Sequence, residues 1–439
     1  MTLLLLLPAV LAALLMGAHV MRFQGLLAAV GFAGLPLLLL WRRRWVPMAL
    51  QGMALAGAAT WLWIAARFAQ ERLARGEPWT RMAIILGAVA AVNLLAAICL
   101  RTPRVSRWYA GAADRATASA AAFLATIGLL LVIRAKAGAD LLLLPRFLAG
   151  GFWPEAIALS IYAALIADWL QQDARVPRVR FVLWSVFSAA FFLQLLLGLG
   201  GVDRCLMSGK LHLPIPALIA AGPVYRGGGW FMVILFLATI VVAGPAWCSH
   251  LCYIGAWDNA LARFRPKVVA ATAKSPRRRL DRRWITLLLT VGGALLLRVL
   301  GVPGGVAAGL AALFGLVGVA IMVVASRRTG RMVHCTSYCP IGALAVTLGK
   351  VSPFRVRIRE GCTGCNLCVP VCRYDALRPE DLARGRPGPN CTLCGDCLAT
   401  CRRGFLEYRF PGISTAGARR LFVTIVAVLM AVTLGVARL

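Results

Sequence analysis

Twelve of the fourteen cysteines fall into short, regular groups. Residues 362–372 read CTGCNLCVPVC and residues 391–401 read CTLCGDCLATC, with eighteen residues between them. Each run is C-x2-C-x2-C-x3-C. A cubane [4Fe–4S] cluster needs four thiolates set tetrahedrally. Three closely spaced cysteines on one loop wrap three irons, and the fourth ligand comes from elsewhere. In chains with two such runs, the last cysteine of each run serves the other cluster. The expected ligands are therefore Cys362, Cys365, Cys368 and Cys401 for one cluster, and Cys391, Cys394, Cys397 and Cys372 for the second. Zinc more often takes two C-x2-C pairs or a Cys/His mixture, and a disulfide framework suits an oxidising compartment, so neither is favoured. Such runs usually carry proline after the fourth cysteine. Here Arg373 and Arg402 stand there, which leaves the local turn open but not the ligation.

A second set pairs AWCSHLCYIGAW (246–257) with VHCTSYCPIGAL (333–344). Both read C-x3-C-x-I-G-A and both follow a hydrophobic hairpin, the signature of an internal duplication. Three roles are open for Cys248, Cys252, Cys335 and Cys339: ligands of a third cluster, redox-active thiols on an electron path, or structural turns with both thiols on one face of a helical turn. His250 and His334 beside them read more readily as hydrogen-bonded structural residues than as ligands.

These cysteines must be positioned by a largely apolar chain. It has 439 residues, 60% of them hydrophobic, and a mean hydropathy of +0.79. Several stretches reach the ~18–20 apolar residues that span a bilayer. The expected fold class is an all-α polytopic membrane protein with about eleven spans, carrying a small α+β two-cluster ferredoxin domain of bacterial type. The expected spans are 2–20, 25–41, 46–66, 82–100, 117–133, 152–170, 181–200, 229–245, 284–300, 305–325 and 420–437. The apolar start has no basic n-region or small-residue cleavage site, so it reads as a retained first span. The expected divisions are 1–175, six spans of unknown role; 176–350, four spans with the two C-x3-C motifs; 351–412, the ferredoxin domain; and 413–439, a last span. Within the third, 354–359 and 405–410 alternate apolar and charged residues as paired strands do.

The net charge of +32 belongs to the membrane topology rather than to nucleic acid binding. With the amino terminus inside, the segments 42–44, 101–116, 171–180, 246–283 and 326–420 hold 35 of the 48 Lys and Arg. Basic residues crowd cytoplasmic loops, which places the motif cysteines on the cytoplasmic side of the inner membrane, where thiols stay reduced. Segment 67–81, with four Arg, runs against the trend.

Over about 181–410 the order and spacing of these motifs resembles the polyferredoxin-type membrane proteins. These include the quinol-oxidising ferredoxin subunit of periplasmic nitrate reductase systems and the membrane half of the nitrous-oxide reductase maturation and electron-donor protein. Tyr253 departs from that pattern where Pro340 keeps it, and residues 1–175 lie outside it. The resemblance implies two [4Fe–4S] clusters that exchange electrons between the quinone pool and a redox protein partner, as in a quinol dehydrogenase-type electron-transfer subunit. The competing reading is an accessory protein for metalloenzyme maturation, metal reduction or redox sensing. A transporter-like role for 1–175 finds no charged membrane pathway to support it. Cations at Arg373, Arg402 and Arg403 are expected to favour reduced clusters and raise their potentials.

A quinone site needs an apolar slot and a polar group for the carbonyls. The outward loop 201–228 offers Asp203 and His212 around an apolar PIPALIAAGP centre that could dip into the membrane, against the plainer reading of a structured loop. Its difficulty is distance, since it lies across a ~30 Å hydrocarbon core from the clusters. Asn93 and Gln194 read as interhelical glue, Cys99 as a packed hydrophobe, and Cys205 has no assigned role.

Overall fold

The computed structural model describes residues 2–172, 175–205, 213–265 and 281–436, and the chain forms two compact units, Met1–Asp168 and Trp169–Leu439. Among the described residues, eight helices are long and apolar enough to cross a membrane: Leu4–Gln24, Trp45–Ala74, Thr80–Arg101, Ala113–Ala137, Val176–Leu199, Phe231–Leu251, Gly304–Thr329 and Thr415–Val436. That is three fewer than the sequence suggested, and each of the three falls short for its own reason. The stretch 25–41 is a nine-residue helix, Leu26–Gly34, that tightens into a 3-10 turn, Leu35–Leu40, at Pro36. Phe152–Leu170 is helical but carries Glu155 and Asp168. Arg282–Val299 is helical but carries Arg282, Arg283 and Arg298.

The first unit is built on large apolar side chains, with Phe32, Trp45, Leu50, Leu100 and Phe123 at its centre. A second cluster of Ala12, Ala54, Ala96 and Ala97 lets backbones approach closely, as small residues do between membrane helices. Asn93 engages both its own helix and its neighbour. Its amide donates to the Val89 carbonyl of its own helix at 2.9 Å, while its Oδ1 packs where a side chain on Gly57 would stand. Glu155 accepts from the backbone N–H groups of Leu143 and Leu144. Cys99 is half-buried in Thr80–Arg101.

The second unit carries every chemical motif. Although too charged to qualify as a span, Arg282–Val299 joins opposite ends of this unit. At one end Arg283 donates to the Cys335 carbonyl, and at the other Arg298 donates to the carbonyl of Val224, just after the residues of the apolar PIPALIAAGP segment. Gln194 makes no hydrogen bond through its Oε1 among the described residues.

The ferredoxin domain is bounded by two antiparallel strands, β1 (Arg355–Ile358) and β2 (Leu406–Arg409), paired Arg355 to Arg409 through Ile358 to Leu406. Val356, Ile358, Leu406 and Tyr408 point inward while Arg355, Arg357 and Arg409 face out, which is the alternation seen in the sequence. Two strands alone are marginal in water. This pair is backed by Thr415–Val436, whose Phe422 stacks on Tyr408 at 4.6 Å and packs against Phe354.

Candidate functional site

The two ferredoxin runs fold into the same loop. Gly364 and Leu393 hold the third position of each run in the left-handed region (φ +63° and +58°), and Asn366 and Gly395 the fifth (+59° and +82°). Turns of this kind aim successive backbone N–H groups into a concavity that suits a negatively charged group. The turn after the fourth cysteine is also shared despite the absent prolines. Asp375 and Gly404 are left-handed there (+52° and +67°), and the next N–H, of Ala376 or Phe405, donates to the Sγ of Cys372 or Cys401 at 3.3 Å.

The thiols gather in two electrostatically coupled groups. Cys368 lies in reach of Cys401, Cys362 and Cys365, and Cys397 in reach of Cys394, Cys372 and Cys391. Burial pushes the thiols of Cys372, Cys391 and Cys394 up to about 12 and that of Cys368 up to about 11. Such thiols ionise readily only beside a cation such as iron. Among the described residues no three His, Cys, Asp or Glu side chains draw together as they would around one ion. Thiolates that each hold a different iron of a cubane stand farther apart. All-sulfur donors, N–H groups aimed at sulfur and this spacing fit an iron–sulfur cluster in each loop.

The surroundings of the two loops differ sharply. In the first, Thr363 through Leu367 are all exposed, including Cys365, and Leu367 is 55% accessible. In the second, Thr392, Leu393 and Gly395 through Cys397 are buried. The reason is a set of bonds to the helical part of the same unit. Arg180, only 2% exposed at the start of Val176–Leu199, makes a bidentate ion pair with Asp396 (3.1 and 2.7 Å) and also donates to the Ser249 carbonyl. Ser249 Oγ donates to the Thr392 carbonyl at 2.8 Å, and Tyr374 Oη to the Cys248 carbonyl at 2.9 Å. Arg283 bridges Asp281, the Cys335 carbonyl and Asn390 Oδ1, next to Cys391. Arg373 donates to the carbonyls of Ala262 and Gly330.

The two C-x3-C motifs also match each other. Trp247–Leu251 and His334–Tyr338 are single π-turns, closed by Cys252 N–H to the Trp247 carbonyl (3.0 Å) and Cys339 N–H to the His334 carbonyl (2.8 Å). The second cysteine of each leaves the helix in extended backbone and starts a new one, Tyr253–Ala262 or Pro340–Leu348. The α-helical turn expected from the spacing is thus widened by one residue, a device often found at functional sites. Cys335 lies in reach of Cys339, Cys252 and Cys248, so the four thiols form one group. Burial pushes Cys252 up to about 12 and Cys335 far above the ordinary thiol range. Cys335 also packs in one apolar cluster with Cys372, Cys391 and Cys394, alongside Trp184, Met332 and Tyr374. This set therefore adjoins the buried ferredoxin loop.

Of the loop candidates, Asp203 sits exposed in the turn Asp203–Cys205, with Cys205 buried, and His212 lies outside the described residues. Residues 214–217 fold inward. They share a cavity with Ile254, Phe314, Gly315, Val319, Met322, His334, Cys339 and Pro340, and Asp203 is not among its lining residues. His250 Nδ1 pairs with Ser249 Oγ at 3.0 Å. His334 is held neutral by burial, its pKa lowered to about 4. The sequence reading passed over Arg180, Asp396, Arg283 and Tyr374. An arginine opening an apolar helix was the available signal for the first.

Residues 361–406 match the family described as a 4Fe–4S dicluster domain, and residues 227–269 and 311–359 match twice the family described as a 4Fe–4S binding domain. The chain is 32% identical over 172 residues to the methylamine utilization ferredoxin-type protein MauN of Methylorubrum extorquens, covering 35% of this chain and 55% of MauN. It is 23% identical over 223 residues to YccM of Escherichia coli, assigned by name to electron transport, covering 46% of this chain and 61% of YccM. A 78-residue match at 28% identity reaches an uncharacterized protein of Methanocaldococcus jannaschii, covering 18% of this chain and 30% of that protein. The chain thus spans between about a third and three fifths of the relatives it matches. No solved structure matches it. The chain thus carries ferredoxin-type 4Fe–4S domains together with helices long and apolar enough to cross a membrane.

Proposed function

We propose that this chain moves electrons between the membrane quinone pool and a redox protein partner on the cytoplasmic face of the inner membrane. The observation that carries this reading is the contrast between two loops of one geometry. Residues 363–367 face solvent, while Thr392 and Asp396 are hydrogen-bonded to Ser249 of a cysteine turn and to Arg180 at the start of an apolar helix. In this reading Cys362, Cys365, Cys368 and Cys401 hold the outer cluster, and Cys391, Cys394, Cys397 and Cys372 the inner one. When bound, the clusters supply one-electron carriers; the protein sets their order and surroundings.

The parts of the cysteine-bearing unit then have distinct tasks. The exposed 363–367 loop, flanked by Arg359, Arg402 and Arg403, offers a small apolar contact at Leu367 within a cationic rim for an acidic partner. Arg180 and Arg283 fix the inner loop against the turns. Cys248, Cys252, Cys335 and Cys339, buried together, supply four thiolates for a third cluster between the inner loop and the bilayer. Oxidation of one quinol releases two protons and two electrons, which leave singly through the clusters; quinone reduction is the reverse.

Anaerobic purification and reconstitution into liposomes tests the reading. Bilayer-embedded quinone is expected to reoxidise dithionite-reduced clusters, followed by EPR. Clusters that stay reduced in its presence overturn the quinone assignment. About twelve irons per chain support the third cluster, and about eight confine clusters to the ferredoxin loops.

A further inference from the structure

We propose that the cavity between residues 214–217 and the second cysteine turn holds the head group of a membrane quinone, with His334 as its hydrogen-bonding partner. This rests on the quinone reading above and assigns it a place. The lining is what a lipid-soluble ring requires: Ile215, Ile254, Phe314, Val319 and Met322 as walls, with one imidazole, and with the cluster ligand Cys339 at its edge. His334 is 6% exposed; one side of its ring lies against the Gly318 backbone, which offers a weak hydrogen bond, and neither nitrogen has a partner of good geometry among the described residues. A buried imidazole in that state is costly unless a ligand or water completes it. A neutral imidazole can donate to a quinone carbonyl or accept from a quinol hydroxyl.

The site also removes the distance between the outward loop and the cysteines. Ile215 packs on Gly315, where an added Cβ would stand 3.0 Å from its Cδ1. Gly315 lies about 16 Å along the helix from Gly304 at 1.5 Å per residue, roughly half of a ~30 Å hydrocarbon core. From the other end, Tyr338 donates to the Phe314 carbonyl at 2.9 Å, and His334 meets Gly318. Loop and cysteine turn therefore converge at one level. Leu310, Leu313, Leu316 and Val317 of the same helix are exposed along its length, leaving a lipid-facing approach for an isoprenoid tail.

A second cavity, beside Cys394, is lined by His250, Tyr408, Arg419 and Phe422. There His250, Tyr408 and Arg419 each already have a hydrogen-bond partner. The void beside His334 is about 30 Å³, so a ring enters only when Ile215 swings off Gly315.

The full chain in liposomes, irradiated with an azido-quinone and peptide-mapped, tests the assignment. Labels are expected on the peptides bearing Ile215 and His334, and excess unmodified quinone should compete them away. Ile215→Trp and Val319→Phe fill the cavity from opposite walls. Each should cut labelling about tenfold or more and raise the quinone concentration for half-maximal cluster reoxidation, while the dithionite-reduced EPR signal stays unchanged. Labels on the wall of the second cavity overturn the assignment, as does full labelling in both variants. Wild-type clusters that quinone reoxidises without any competed label overturn the location alone. Clusters that quinone cannot reoxidise overturn the functional reading with it.

Discussion

At the scale of single residues, Arg180 and Asp396 are the pair on which the inner loop depends. Both are nearly inaccessible, and Asp396 stands between two cysteines of one run. Replacing Arg180 by Leu leaves the buried Asp396 carboxylate with only the longer 3.8 Å contact to Arg263, at a cost of up to about 3–5 kcal/mol. Thermal denaturation should show that loss, with most of it recovered in the double variant Arg180→Leu/Asp396→Leu. A wild-type melting curve for Arg180→Leu would remove the pair from the account. The same residues revise the expectation about cluster potentials. Arg402 and Arg403 are exposed, where water screens them, and Arg373 spends its guanidinium on backbone carbonyls. Asp396→Asn removes an anion beside Cys394 while leaving Arg180 in place, so it should raise the inner midpoint in an EPR-monitored titration. Arg402→Glu should lower the outer one by less. The dicluster domain was legible because cysteine spacing is local. Arg180 was not, because its partner lies far along the chain and only folding brings them together.

At the scale of elements, the widened cysteine turns decide the geometry. Spacing alone could not reveal them, since C-x3-C fits an α-turn as readily as a π-turn. The strands were legible from alternation, and most spans from apolar length. The stretch 284–300 was read as an ordinary span because its length is right, yet Arg283 just before it and Arg298 within it serve contacts at the two ends of the unit. Gly318 gives a direct check on the second turn. A Cβ there would stand 2.7 Å from His334 Cε1 and 2.9 Å from Nδ1. Gly318→Val should therefore cost about 1–3 kcal/mol through overpacking and displace the turn. Iron analysis should show loss confined to the C-x3-C set, with both ferredoxin EPR signals retained. Equal loss at all sites would mean that this contact supports general folding rather than the turn.

At the scale of the molecule, the two halves of the ferredoxin domain share a backbone and differ in what covers them. Composition indicated a membrane protein, and the paired runs two clusters, but neither could say which run faces water. That depends on side chains far apart in sequence, such as Tyr374 against Cys248. One consequence is unequal resistance to damage. Graded oxidation or chelation should strip the outer cluster first, since its ligand Cys365 is exposed while no ligand of the inner cluster is. The central claim, that electrons pass between the bilayer and the outer cluster through the inner one, is tested most directly by removing each cluster in turn. Cys394→Ser and Cys365→Ser are reduced in liposomes containing quinone, and the surviving cluster is followed by EPR. Reoxidation of the inner cluster is expected to persist in Cys365→Ser, and reoxidation of the outer cluster to be lost in Cys394→Ser. An outer cluster that quinone reoxidises at the wild-type rate without its inner neighbour would contradict the path.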